Sequence, residues 1–446
     1  MKSTSSFPTA AILVLCAFSF TRSQPFTTER VKSEFLHAWS GYKRYAWGHD
    51  ALKPLSKKPH DWYQQSLLLT PVDAFDTMLL MGLKKEAAET KKLVLDSLSF
   101  DRDIEVQAFE IVIRLLGGLL SAHQMDGDAK FLALAEDLGT RLLPIFNSPT
   151  GMPYRFVNLK TGAVRDSINN PAEIGTLMLE FGTLAKLTGN SEFYRRAKRG
   201  TTEVFARRSS IGLVGEQINV LTGEWVRTSS HVGGYIDSYY EYLLKSWLLF
   251  GDQDFKTMWD SSIDSVNRYL ADTTYGGLWY GQVEMNSGIR TSTRYGSLEA
   301  FMPALLVLGG DVTRARRLQE SNFKMWNLHG IEPEELNYAT MTATAKQYYL
   351  RPEIIESAYY LSKYTQEEQY RAMAGSMFND LVKHCRTEAG FAYLSDVTTK
   401  TKADGMESFF FAETMKYFYL LAAPPETLDF NSVVFTTEAH PIRRTW

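Results

Sequence analysis

Two acidic residues sit where water is scarce. Glu110 lies in the run Phe109-Glu110-Ile111-Val112-Ile113, and Glu413 closes the run Phe410-Phe411-Ala412-Glu413. A carboxylate in such a setting persists only if it is paired or used, because desolvating a charge is costly. Arg114 follows Glu110 by four residues, which puts it on the same helical face as an ion-pair partner. Glu353 and Glu356 are three apart and share a face. Two like charges so placed either push one pKa up or share a cation. Asp237, Glu173 and Glu407 each open a further apolar stretch. Paired carboxylates among aromatic rings suit glycoside hydrolysis. One acid protonates the leaving oxygen, a second activates water, and the rings offer stacking surface to a sugar. The helix dipole favours an acid in any first turn by about 0.3–1 kcal/mol, which suffices for Glu173 but not for Glu110 or Glu413.

Rival chemistries lack their residues. The chain has no HExxH, no Cys/His zinc spacing, no Gly-x-Ser-x-Gly elbow and no P-loop. Its eight histidines are scattered. The formal net charge is −3 and no Lys/Arg run stands out, so nucleic acid is not an expected partner.

The acids need elements to gather them, and internal repetition supplies these. Gly127-Asp128-Ala129-Lys130-Phe131, Gly189-Asn190-Ser191-Glu192-Phe193 and Gly251-Asp252-Gln253-Asp254-Phe255 recur with their aromatic residues 62 positions apart. Weaker copies stand at Gly82, at Gly310-Asp311 and at Thr365-Gln366. Each follows an apolar helical stretch and precedes an amphipathic one. The first kind is buried and the second peripheral. Gly followed by Asp or Asn reads as a helix stop and then an N-cap. Each unit is therefore a hairpin of an inner and an outer helix. Six hairpins and a last inner helix from about Glu407 to Leu421 predict an all-α (α/α)7 barrel. It is expected to be a single domain over 24–446. Turn-rich stretches between units, and Val433-Val434-Phe435-Thr436-Thr437, predict short β-hairpins at one end. If the inner helices run in one direction, their leading acids collect at one mouth.

Lys2, the apolar run 10–20 and the small residues near Ser23 predict a signal peptide over 1–23, too short to span a membrane. No later segment reads as transmembrane, and no retrieval tetrapeptide is expected. Cys16 falls in the signal, which leaves Cys385 without an internal disulfide partner. Either a buried inert thiol or an intermolecular disulfide fits.

Six ordered blocks resemble glycoside hydrolase family 47, the class I α-1,2-mannosidases. They are Val72-Asp73-Ala74-Phe75-Asp76-Thr77-Met78, Phe109 to Arg114 with Leu116 to Leu120, Asp237 to Leu243, Leu350 to Glu353, Met406 to Phe410, and Phe435 to Pro441. The resemblance implies an inverting, Ca²⁺-dependent exo-mannosidase acting on high-mannose N-glycans. It implies Glu110 as general acid, acting through a water. Glu353 would be the general base, with Asp237 as third carboxylate and rival base. Arg114, Phe409 and Glu413 would serve the substrate: Phe409 under the sugar, Arg114 orienting Glu110. Thr437 would hold Ca²⁺ directly, and Glu356, Glu413 and Glu438 would hold it through waters. The processing enzymes' His-Leu-x-Cys-Phe block is replaced by Ser297-Leu298-Glu299-Ala300-Phe301-Met302-Pro303. That stretch and Asp103-Ile104-Glu105-Val106 resemble the ER degradation-enhancing mannosidase-like branch. The branch implies work on misfolded glycoproteins in the ER lumen or beyond it, and a thiol oxidoreductase as partner. Two other readings remain at this point: a mannose-glycan-binding adaptor with little catalysis, and an unrelated α/α-barrel polysaccharide enzyme.

Overall fold

The computed structural model describes residues 25–446. The signal-peptide reading of 1–23 lies outside the described residues.

Helices alternate in character along the chain. Thr28–Tyr45, Lys84–Ser97, Ala129–Leu142, Ser191–Ala206, Gln253–Tyr269, Val312–Asn327 and Glu368–Cys385 each bury one face. Between them run helices buried on nearly every side: Leu69–Met81, Ala108–Ile111 continuing to Gly117–Asp126, Pro171–Gly175 with Met178–Thr188, and Asp237–Phe250. Met302–Leu308, Glu353–Thr365 and Met415–Ala422 complete this set. The buried set forms an inner ring and the one-faced set an outer ring, an (α/α)7 barrel as the repeats predict. Six inner helices are each covered by the outer helix that follows in sequence. The seventh, Met415–Ala422, is covered by the chain's first helix, Thr28–Tyr45, so the two ends of the chain close the ring.

The repeated punctuation does what its residues dictate. Gly127, Gly189 and Gly251 end their helices in the left-handed region at φ 86°, 78° and 71°. The Asp128, Asn190 and Asp252 side chains then accept the N–H groups of Lys130, Glu192 and Asp254 and start the next helix. These tight turns occupy one end of the barrel.

The other end carries longer connections. Four three-stranded antiparallel sheets each join the strand leading into one inner helix to a hairpin of the next unit. Glu105–Gln107 pairs with Phe156–Asn158, Ile168–Asn169 with Gln217–Asn219, Ser229–Ser230 with Gln282–Glu284, and Arg294–Gly296 with Glu335–Asn337. Neighbouring units are thereby interlocked around a rim, and the inner helices begin just below it.

The terminal hairpin, Val433–Phe435 with Pro441–Arg443, departs from the expectation that it decorates this rim. It enters from the opposite end. Its base sits by the C-terminal ends of inner helices, where the Gln124 side-chain amide donates to the Arg443 carbonyl and accepts from the Arg443 N–H, and Trp446 stacks on Phe250. Its tip, 436–440, reaches into the lumen, where Thr436 and His440 are fully buried. Gly117 and Gly118 make room for it: a Cβ on Gly117 would stand 3.0 Å from the His440 ring, and one on Gly118 2.8 Å from Val72. Seven inner helices leave an axial space, and this hairpin fills it.

Candidate active site

The tip of the hairpin and the starts of the inner helices enclose a cavity of about 380 Å³. Among the described residues, eight carboxylates line it: Glu110, Glu173, Asp237, Glu241, Glu353, Glu356, Glu413 and Glu438. Two guanidiniums, Arg114 and Arg351, face them. Thr437 and Phe409 complete the predicted set, so every residue singled out for catalysis, substrate or metal lines this one cavity.

Local structure explains the placement. Asp237 and Glu353 are the first residues of Asp237–Phe250 and Glu353–Thr365, where the positive end of the helix faces an anion. Glu356 lies one turn below Glu353 on the same face. Arg114 and Glu413 lie in single π-helical turns: Val112–Leu116 interrupts one inner helix, and Phe410–Thr414 opens the last one. Such turns rotate side chains out of the ordinary helical register and recur at functional sites.

Arg114 is the hub. Its Nε and Nη2 both donate to Glu110 Oε2, at 3.1 and 3.0 Å. Its Nη1 donates to Glu438 and lies 3.6 Å from Asp73. Its guanidinium is flanked by the Trp62 ring at 5.2 Å and the Phe409 ring at 5.8 Å. Glu407, which the sequence placed on the last inner helix, lies just before it and fixes Trp62 by accepting from its indole N–H. Arg351 approaches the Phe409 ring at 6.0 Å and pairs with Glu334.

Burial and mutual repulsion push most of these carboxyls up. Burial raises Asp237 to about 6, with Glu241 adding to the rise. It raises Glu353 to about 7 against the pull of Arg351 and the helix N-terminus, while Glu334 and Asp237 push it up further. Glu353 Oε2 is buried without a partner. Glu356 rises to about 8 despite nearby Lys245. Glu413 and Glu438 lie well above the ordinary carboxyl range, through burial first, with neighbouring carboxylates adding to it.

Glu173, which the sequence numbered among the acids gathering at one mouth but gave no role beyond the helix dipole, lines the cavity and is gripped by Arg155 at 2.9 and 2.8 Å and by Gln107 at 3.1 Å. Three further residues escaped the sequence reading. Glu241 is paired with buried Lys245. Its place one turn after Asp237 was the available signal. Tyr235 lines the mouth at φ 77°, an unusual conformation for a bulky residue. Glu299 is buried below Leu298 and Phe301, which also line the cavity, and burial raises it to about 7.

Cys385 sits at the end of an outer helix, fully buried, and burial pushes its thiol pKa up. That matches the inert-thiol reading. Among the described residues it has no disulfide, and no helix is long and apolar enough to cross a membrane.

The profile of glycosyl hydrolase family 47 matches residues 34–444. The chain belongs to glycosyl hydrolase family 47. An alpha-mannosidase I of Arabidopsis thaliana is 38% identical over 93% of this family 47 chain and 76% of its own length. The human ER degradation-enhancing alpha-mannosidase-like protein 2 is 36% identical, over 93% and 77%. The human mannosyl-oligosaccharide 1,2-alpha-mannosidase IB is 34% identical, over 93% and 69%. Among solved structures, an alpha-1,2-mannosidase from Trichoderma reesei superposes with a TM-score of 0.86 at 27% identity, covering 93% of this chain and 98% of that one. A cellobiose 2-epimerase from Bacillus thermoamylovorans shares the fold alone, at a TM-score of 0.58 and 11% identity, over 88% and 98%.

Proposed function

We propose that this family 47 chain is an inverting, calcium-dependent exo-α-1,2-mannosidase. Its substrates are high-mannose N-glycans on glycoproteins in the ER lumen, where it serves the disposal of misfolded chains. The observation that carries the reading is the convergence of Glu110, Asp237 and Glu353, from three inner helices, on one cavity beside Thr437. Relatives named for mannosyl-oligosaccharide processing and for ER degradation support the substrate and the setting.

In the inverting reaction water attacks the anomeric carbon from the face opposite the glycosidic oxygen. The C–O bond to the leaving sugar breaks as the new one forms. A base takes a proton from the water, and an acid supplies one to the leaving oxygen. Glu353, raised to about 7, suits the base, because a base works best with a pKa near the working pH. Its partnerless Oε2 is free to accept from water. Asp237 across the cavity is the second candidate. Glu110, held by both Arg114 donors on one oxygen, keeps its other oxygen for the leaving group or a relaying water. Phe409 offers its ring to the apolar face of the sugar.

The cavity also fits a hard cation. Burial first, and neighbouring carboxylates second, disfavour ionisation of Glu356, Glu413 and Glu438, a cost that a bound cation would offset. All candidate donors are oxygen, as Ca²⁺ prefers. As the family resemblance implies, Thr437 would hold the ion directly, and the three glutamates would hold it through water. When bound, the cation supplies Lewis-acid contacts to sugar hydroxyls. A thiol oxidoreductase partner would not pair through Cys385, which is fully buried. The test is mannose release from a high-mannose N-glycan by the purified chain. Calcium-dependent retention of the glycan without release would instead make the chain a binding adaptor.

A further inference from the structure

The hairpin tip carries the proposed cation ligand, yet a hairpin tip is ordinarily the loosest part of a hairpin. Here it is bolted from several sides. Lys416 Nζ donates to the carbonyl of Ala439 at 2.6 Å, and His440 bridges Asp76 at 2.7 Å and Asp73 at 3.1 Å. These bonds hold the far side of the turn. Thr437 itself is held by one protein bond, its backbone N–H donating to Tyr242 Oη at 3.2 Å. Tyr242 Oη in turn donates to Glu180 Oε1 at 2.7 Å. Tyr242 and Glu180 are fully buried, and neither lines the cavity. A tyrosine hydroxyl has one proton, so donating it to Glu180 leaves a lone pair aimed at the Thr437 amide. Glu180 therefore fixes the rotation of the hydroxyl, and the hydroxyl fixes the Thr436–Thr437 peptide, from which the Thr437 side chain and carbonyl project.

We propose that Tyr242, oriented by Glu180, is a positioning residue that anchors the Thr437 amide and so holds the residue's carbonyl and hydroxyl in place for the cation. The inference rests on the calcium reading above and deepens it. Partners that orient a metal ligand typically govern metal affinity by about 10–100-fold. Tyr242→Phe removes only the hydroxyl and keeps the ring that packs among the inner helices. Thr437 then keeps its ligand atoms but loses its anchor.

The experiment is a calcium titration of melting temperature in the full chain, since a ligand that binds only the folded state raises apparent stability. The wild-type chain is expected to melt higher as calcium is added. Tyr242→Phe is expected to need about 10-fold more calcium, or beyond, for the same rise. Glu180→Gln keeps an oxygen for the hydroxyl but weakens the bond, so a smaller shift in the same direction is expected. A purely structural role would lower the melting temperature in chelator and leave the calcium midpoint in place, and that result overturns the proposal. If Tyr242→Phe does not fold, Glu180→Gln decides, and an unmoved midpoint there overturns it. A wild-type chain that ignores calcium overturns this proposal and the calcium reading together. A wild-type response with unmoved variants overturns this one alone.

Discussion

Two groups of buried acids lie a few residues apart in depth and behave in opposite ways. In the cavity, Asp237, Glu353, Glu356, Glu413 and Glu438 are pushed up. Beneath it, Asp76 is pulled down to about 2 and Asp73 is lowered too, although both are buried as deeply. Burial alone raises a carboxyl, so burial is not what separates them. Asp76 meets Lys416 at 2.8 Å, His440 at 2.7 Å and the Ser121 hydroxyl at 2.9 Å. The cavity acids face mainly one another, with Arg114 shared among several. The lower group has its counter-charges within the protein, although Asp73 Oδ2 accepts no hydrogen bond, and it holds the hairpin. The upper group is left short of positive charge and proton donors, which a substrate, a water and a cation would supply.

The largest effect should come from the upper group. Glu353→Gln removes the proposed base without changing its shape, and a loss of about 10²–10⁴-fold in turnover is expected, with glycan retention kept. Turnover at the wild-type rate would remove Glu353 from the mechanism. The lower group should answer in stability. Asp76→Asn strips Lys416 and His440 of their shared counter-charge. Breaking a buried pair costs about 3–5 kcal/mol, read as a fall in denaturation midpoint. A variant as stable as the parent would mean that the two groups do not differ as described.

The pH dependence separates the groups by sign. Asp237 and Glu353 have folded pKa values of about 6 and 7, above the roughly 4 of an unfolded carboxyl. Their contribution to stability is complete below about 4 and is lost as pH rises through 6–7. Asp76, at about 2, contributes above roughly 4 and loses that contribution as pH falls toward 2. Melting temperature measured in chelator should thus decline on both sides, and calcium should lift the neutral side. A neutral side that calcium leaves unchanged would contradict the proposed cation site in the cavity. The smallest effect is expected from Glu413→Gln. Removing one buried carboxyl that resists ionisation should raise the melting temperature in chelator, on the order of 1–2 °C for a gain near 1 kcal/mol in a chain this long. The same change should weaken the calcium response.

Much of this arrangement is legible in the sequence because it is local. A glycine that must turn left-handed and an Asp or Asn that caps the next helix are decided within five residues, so Gly127-Asp128 and its copies marked the hairpins correctly. An acid leading an apolar helix, as at Asp237 and Glu353, is equally local. What escaped is decided by distant contacts. Nothing in Val433 to Thr437 says from which end a hairpin enters a barrel. The seven-fold axial space and the glycines that admit His440 settle that only after the ring closes. The helix Thr28–Tyr45 finds its partner nearly 400 residues later. The π turns that aim Arg114 and Glu413 depend on ring packing and leave no mark in residue type. Glu173 looked like a dipole-favoured acid because Arg155 and Gln107, which bring it into the wall, belong to the rim strands and their flanks.

The most direct test of the account is mannose release from a high-mannose N-glycan by the purified chain, run with calcium, with a chelator and with Glu353→Gln. The account predicts release with calcium, loss of release in chelator with recovery on re-addition, and no release from the variant. Release that persists in chelator would contradict the cation. Its complete absence from folded wild-type chain, on free glycan and on denatured glycoprotein alike, would contradict the hydrolase.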